Sequence, residues 1–171
     1  MKMHSQQDFL YHVRAFLPDD LEVYKGIRLE ALSLEAAMYG STYARESAFT
    51  EDEWLVRMVH HNSQCFGLFY ADELIGLTGI FIDKADATLG HMVQSYIRKP
   101  YRGRGLSQLL YDVRLAWAMD HGLKTLRIGH RESNIASKAA NQRNGFIYKF
   151  SESRNWPDGG KEDILYYERK L

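Results

Sequence analysis

One cysteine, Cys65, is all the sequence holds, so no intrachain disulfide and no four-cysteine metal site can form. It lies in the apolar run Cys65-Phe66-Gly67-Leu68-Phe69-Tyr70, which reads as a core thiol in a reduced compartment. A charge surplus is missing too: Lys+Arg and Asp+Glu number 22 each, and the formal net charge is zero. A general nucleic-acid binder carries a basic surplus, so no nucleic-acid partner is expected. No apolar run approaches the length of a bilayer span, and Met1 to Gln7 lacks the apolar core of a signal peptide. The expectation is a cytoplasmic protein with no membrane partner. No repeat, low-complexity tract or linker interrupts the chain, and no Ser-His-Asp or metal-ligand spacing stands out; no metal is expected. What is left is 171 residues, 45% hydrophobic and 26% charged, enough for one domain over residues 1–171 with a real core.

Taken in order, residues 9–17 alternate as a strand, with Tyr11, Val13 and Ala15 on one face. Pro18-Asp19-Asp20 starts a helix whose apolar spacing runs to about Met38. Tyr39–Tyr43 reads as a loop. Thr50 caps a helix over Glu51–His61, with Glu53 as its capping-box partner. Strands follow at Gln64–Tyr70, Glu73–Ile82 and Thr88–Ile97, the first two joined by the tight Ala71-Asp72 turn. Leu106, Leu109, Leu110, Val113, Ala116 and Trp117 predict one apolar face of a helix that Gly122 ends. Lys124–His130 is a strand, Ile135–Asn144 a helix capped by Ser133 or Asn134 and stopped by Gly145. Phe146–Ser151 and Asp163–Lys170 are strands around a turn at Trp156–Gly160. This order predicts a mixed α/β domain: a central, mostly antiparallel twisted sheet with flanking helices. The crossover at 88–130 makes one locally parallel strand pair, with a ligand site at its carboxyl end.

The stretch Arg98-Lys-Pro-Tyr-Arg-Gly-Arg-Gly-Leu-Ser107 sits between the third of those strands and the best-patterned helix. Gly103 and Gly105 let the backbone turn tightly and approach a ligand, and the helix start offers unpaired N–H groups. Arg98, Lys99, Arg102 and Arg104 add local positive charge. The stretch reads equally as an anion site for a phosphate or pyrophosphate and as a strand-to-helix turn with a basic rim. Neither the Gly-x-x-x-x-Gly-Lys-Ser/Thr nor the Gly-x-Gly-x-x-Gly nucleotide pattern is present, Gln108 standing where the latter needs glycine.

Arg102-Gly103-Arg104-Gly105-Leu106-Ser107 resembles the Arg/Gln-x-x-Gly-x-Gly/Ala signature of the GCN5-related N-acetyltransferases. Asn134-Ile-Ala-Ser137-Lys-Ala-Ala-Asn141-Gln-Arg143-Asn-Gly145-Phe146 is similar to the family's second motif, Asn-x-x-Ala/Ser, a helix, then Gly-Phe. The resemblance covers the element order over residues 9–171. It implies acetyl-CoA as cosubstrate, with the backbone of Arg102, Gly103, Arg104, Gly105, Leu106 and Ser107 cradling the pyrophosphate. It further implies that the pantetheine arm pairs with the strand edge at Tyr96, Ile97 and Arg98, where the sheet splays. A backbone N–H near Ile97 or Arg98 would polarise the thioester carbonyl. Asn134 and Ser137 would hold the arm from the other side, and Lys138 or Arg143 would reach the adenosine phosphate.

The implied reaction is direct attack of an amine, of a small molecule or a peptide, on acetyl-CoA. His91 is the candidate base, because imidazole titrates near neutrality; a surface or core histidine is the other reading, and Asp83 and Asp86 are weaker candidates. Ser107 departs from the first motif at little cost. Asn141 stands where many members carry a tyrosine that protonates the leaving thiolate, and asparagine cannot deliver a proton. The thiolate then leaves unprotonated, or Tyr96, Tyr148 or water supplies the proton. Asn141 also motivates a second reading, an acyl-CoA-binding sensor or interaction module without turnover; a nucleotide-phosphate binder is a third. The acceptor would be chosen by Tyr39–Glu46 and Ser153–Glu162. There Tyr39, Tyr43 and Trp156 hold an amine, pack as anchors or form a homodimer contact, while Asp158, Glu162 and Asp163 attract a cation or serve the turn.

Overall fold

The structure, a computed structural model, describes residues 10–171; Phe9 of the expected first strand and the Met1–Gln7 start lie outside them. Five helices and eight strands follow in the order β1 (Tyr11–Ala15), α1 (Leu21–Leu34), α2 (Tyr43–Ser47), α3 (Glu51–Met58), β2 (Val59–His60), β3 (Ser63–Tyr70), β4 (Glu73–Ile82), β5 (Leu89–Ile97), α4 (Ser107–Asp120), β6 (Thr125–Arg131), α5 (Ile135–Arg143), β7 (Ile147–Asn155) and β8 (Lys161–Lys170). All strands join one sheet, in the order β1-β3-β4-β5-β6-β8-β7 with β2 on β3. Every pair is antiparallel except β5 and β6. The mixed α/β class and the single parallel pair are those the sequence predicts.

Several boundaries differ, β7 for one running on to Asn155. The helix expected to reach Met38 ends at Leu34, because Glu35 leaves the helical region (φ −126°, ψ 38°) and Ala36–Met38 tighten into a 3-10 turn. The expected loop at Tyr39–Tyr43 forms over residues 39–42, and α2, which the sequence reading does not include, follows it, Thr42 capping its start by accepting from Arg45 N–H. The helix expected to reach His61 stops at Met58, since Val59 turns extended and pairs with Gln64. Its Thr50–Glu53 capping box forms as expected, with Thr50 N–H donating to Glu53 at 2.7 Å and Glu53 N–H to Thr50 at 3.2 Å.

The core splits across the sheet. On one face α1 and α3 bury Tyr24, Ile27, Trp54 and Met58 against Cys65, Leu77 and Tyr96. On the other, α4 buries Leu106, Leu110, Tyr111 and Ala118 against Leu68, Ile80, Met92 and Leu126. The predicted apolar face of α4 does pack on the core, Leu109, Val113 and Trp117 partly buried beside Leu106 and Leu110, but Ala116 is exposed and the buried stripe widens to take in Tyr111 and Arg114. Polar groups at core positions are tolerated where a cavity adjoins them, and one does here. Cys65 is buried and free, its thiol pushed up to about 11 by burial, as a core cysteine should be. No helix of the described residues is long and apolar enough to cross a membrane.

Candidate active site

A cavity of about 580 Å³ opens where β5 and β6 part. Their parallel pairing ends at Met92 and Ile128. Beyond it β5 bulges: Leu77 pairs with Tyr96 and Gly79 with Val93, so Thr78 alone faces Gln94 and Ser95. Gln94 takes φ +60°, held by Tyr24 O–H donating to its Oε1 at 3.0 Å. The bulge bends β5 away and leaves Val93–Ile97 as one wall without a β6 partner. The sequence reading places the free backbone N–H near Ile97 or Arg98; Arg98 N–H is already donated to Ile75 O at 2.8 Å, so the open edge lies nearer the bulge.

The glycine loop forms the mouth. Gly103 and Gly105 both sit at φ +76° with open space around the position a Cβ would take, so the backbone there is bare. It leads into α4, whose first N–H groups at Ser107 lie on the cavity rim. Gly103, Gly105, Leu106 and Ser107 line the cavity, as do Tyr96, Ile97 and Arg102. The arginines are not all free. Arg102 donates to Ile97 O at 2.7 Å and to Glu35 at 2.8 Å. Arg98 is paired with Glu30 at 3.0 Å and Glu73 at 3.3 Å and lines a smaller neighbouring cleft with Lys99. Arg104 stands exposed on the loop between the two glycines.

The opposite wall is α5. Asn134 caps it, its Oδ1 accepting from Ser137 N–H at 3.1 Å, and both residues line the cavity. Cap and cavity wall are one residue here, as the sequence allows. Arg143 reaches the cavity; Lys138 is exposed and does not line it. Asn141 is buried in the wall, and Tyr111 O–H donates to its Oδ1 at 2.5 Å.

Two residues expected to take part in chemistry stand elsewhere. His91 precedes Met92, a cavity residue, on β5, so its ring points to the other face of the sheet. There it stacks on Phe81 at 4.8 Å and bonds Asp83 at 2.7 Å. That bond and the Ala85 N–H hold the Asp83 carboxyl below the usual carboxylate range. Tyr148 is exposed on β7, edge-on to Tyr167 at 5.9 Å. Tyr96 does line the cavity, but its hydroxyl is donated to Glu30 at 3.1 Å, and burial with that bond pushes it up to about 12.

The sequence reading misses His130. It is 5% exposed on β6, lines the cavity and stacks on Tyr167 at 5.2 Å. Its Nδ1 lies 2.7 Å from Arg131 O. A carbonyl oxygen only accepts, so Nδ1 carries the proton and Nε2 holds a lone pair. That Nε2 is buried without a partner among the described residues. A buried imidazole with its tautomer fixed leaves one bare nitrogen that can accept a hydrogen bond from a group in the cavity. The signal available was the position of His130 at the carboxyl end of the parallel pair.

Three of the six residues expected to choose the acceptor, Trp156, Asp158 and Glu162, turn out tied together, while Tyr43 is exposed. Arg131 donates to Glu162, to Asp158 at 2.6 Å and to Ala37 O at 3.1 Å, and its guanidinium lies 4.9 Å from the Trp156 ring. These two acids are held below the usual range, Asp158 by the Arg131 bond first, Glu162 by Ser133 and Arg131. Trp156 is buried, its Nε1–H donated to Glu162 O. Tyr39 lines the cavity and donates to Ser95 O at 2.9 Å, bridging the α1–α2 connection to the bulge.

Solved structures share this architecture. A GNAT-family acetyltransferase from Streptococcus pneumoniae is 21% identical, with TM-score 0.80 over 94% of this chain and 99% of that one. A GCN5-related N-acetyltransferase from Kribbella flavida is 17% identical, with TM-score 0.79 over 96% and 99%. RimL, a ribosomal L7/L12 alpha-N-protein acetyltransferase solved with coenzyme A, is 16% identical, with TM-score 0.74 over 95% and 94%. No curated protein matches the chain by sequence. The model of the acetyltransferase (GNAT) family matches residues 28–146, the span that holds the bulge, the glycine loop, His130 and α5, and the chain belongs to that family.

Proposed function

We propose that the protein transfers an acetyl group from acetyl-CoA to an amine of a small molecule or peptide, by direct attack within one cavity. The observation that carries the reading is the cavity itself. A bare glycine loop at a helix start, an unpaired strand edge at a bulge and an asparagine-capped helix surround one space beside a deprotonated histidine nitrogen. The fit to coenzyme A is chemical. The loop amides suit a pyrophosphate, the open β5 edge suits an amide-bearing arm, and Arg143 offers a cation at the rim. RimL, similar in fold, is known with coenzyme A bound. Acetyl-CoA supplies the activated carbonyl; the chain positions it and handles the protons.

His130 Nε2 takes the proton that the amine loses as it attacks. His91, on the far face with Asp83, does not touch the reacting groups. The test is thiol release from acetyl-CoA with a panel of primary amines, followed by two variants. His130→Gln lowers kcat/KM by about 10²-fold or more while acetyl-CoA still binds. His91→Ala leaves kcat/KM unchanged. Loss of activity in His91→Ala with an intact His130→Gln would reverse the assignment, and no thiol release with any amine would favour a binding module.

A further inference from the structure

The α4–α5 wall of the cavity carries a buried cation with no anion to meet it. Arg114 is 1% exposed. Its Nε donates to Leu110 O at 2.8 Å, and its Nη1 has no partner among the described residues. No carboxylate among them pairs with it, and its guanidinium lies 5.2 Å from the Tyr111 ring. Burial pulls it down to about 10. Holding a guanidinium out of water costs several kcal/mol, so a fold keeps one there for something that meets the charge. Asn141 on α5 adds a second donor. Tyr111 O–H occupies its Oδ1, which leaves Nδ2 as the free end of the amide, and Nδ2 is buried and unpartnered. The β6 wall is the chemical opposite, since His130 offers it a lone pair.

Resting on acetyl transfer at this cavity, we infer that Arg114 and Asn141, its amide oriented by Tyr111, receive the sulfur of the departing coenzyme A as a thiolate. The amine nitrogen bonds to the thioester carbonyl carbon and gives its proton to His130 Nε2. The carbon–sulfur bond breaks and its electron pair stays on sulfur. Sulfur needs no proton before it leaves: a thiol of ordinary pKa about 8.5 departs as the anion, and a cation within reach favours that form. The division is therefore by wall, the strand side for the proton and the helix side for the negative charge. The charged and titratable groups lining this cavity are Tyr111 and Arg114 from α4, Arg143 from α5, His130 from β6 and Tyr96 from β5, with Glu35, Tyr39, Tyr101 and Arg102 from the connections around its mouth. Tyr167 of β8 backs His130.

The test is calorimetric binding of free CoA from about pH 6.5 to about pH 8.5, with acetyl-CoA, which has no thiol, as control. Preference for the thiolate makes CoA affinity rise about tenfold or more over that range while acetyl-CoA affinity stays flat, and ultraviolet thiolate absorbance appears on binding. Arg114→Met abolishes the rise and lowers kcat by about 10²-fold. It keeps acetyl-CoA binding and does not lower Tm, because an unmatched buried charge is gone; Arg114→Lys restores part of the rise. Tyr111→Phe, which frees the amide to rotate, weakens the rise without removing it. CoA affinity as flat as that of acetyl-CoA, with acetyl transfer intact, would overturn this inference alone. So would a preference for succinyl-CoA that Arg114→Met erases, which would put an acyl carboxylate at the arginine. Failure of acetyl-CoA itself to bind would remove the acetyl-transfer reading first.

Discussion

Glu46 lies fully buried between two arginines: Arg28 donates to it at 2.8 and 2.9 Å and Arg57 at 3.2 Å. The cluster ties α1, α2 and α3 into one cap over the sheet, beside Tyr39 at the cavity. Burial alone would raise the Glu46 carboxyl; the Arg28 hydrogen bonds and the two positive charges outweigh it and hold it below the usual range. Its folded pKa is lower than its unfolded one, so its contribution is complete above about pH 4.3 and is lost as pH falls through the folded value. Glu46→Ala leaves Arg28 buried and unpaired, and chemical denaturation should show a loss of about 3–5 kcal/mol with a flatter acid dependence. A loss below about 1 kcal/mol would mean the cluster is solvated like a surface pair. In the sequence Glu46 is one more polar residue at the end of a presumed loop. The same blindness hid Arg114 and His130. Residue type shows what a side chain can do, but not which polar groups the fold removes from water.

At the scale of elements, local chemistry was legible wherever it is self-contained. The Thr50–Glu53 box, the Asn134 cap and the glycine turns need only neighbours in the chain, and each formed where the residues stand. Faces and ends were less legible, because they are chosen by packing. The predicted α4 stripe includes Ala116, which is exposed, and omits Arg114, which the helix turns inward because the cavity, and not only the sheet, lies beneath it. The end of α3 is set by a two-residue pairing with β3 that no local signal announces. The loop between β5 and α4 supplies the prediction at this scale. Gly105 at φ +76° has open space around it, so Gly105→Ala clashes with nothing and pays only for a left-handed backbone, about 1–2 kcal/mol, or roughly 2–4 °C in Tm per kcal/mol. The added methyl projects where the pyrophosphate would approach. Acetyl-CoA affinity should therefore fall by tenfold or more, beyond what the change in Tm accounts for. Equal affinity in the two proteins would show that the loop is a turn and not a cradle.

The molecule as a whole is a sheet split at the β5 bulge, with α4 and α5 lining the opening and the Arg131 knot joining β6, the β7–β8 hairpin and the α1–α2 connection. The order of elements was legible over nearly the whole chain, because strand alternation, helix periodicity and turn residues each repeat over many positions. The knot was not. Arg131, Asp158, Glu162 and the Ala37 carbonyl lie far apart in sequence and meet only when β6, the β7–β8 hairpin and the α1–α2 connection converge. Two of the three acids that the sequence offers as attractors of a cationic acceptor, Asp158 and Glu162, are thereby held by Arg131, and on the acetyl-transfer proposal acceptor choice then falls to the cavity walls near Tyr39 and the bulge. The central claim, a coenzyme A thioester held by the loop and the split sheet, is tested most directly by thermal unfolding with saturating acetyl-CoA, CoA and ATP in parallel. At 100 times the dissociation constant a ligand adds about 2.7 kcal/mol, roughly 5–10 °C for a chain of this size. The account predicts that shift with both coenzyme A forms and none with ATP. No shift with acetyl-CoA, or an equal one with ATP, would contradict it.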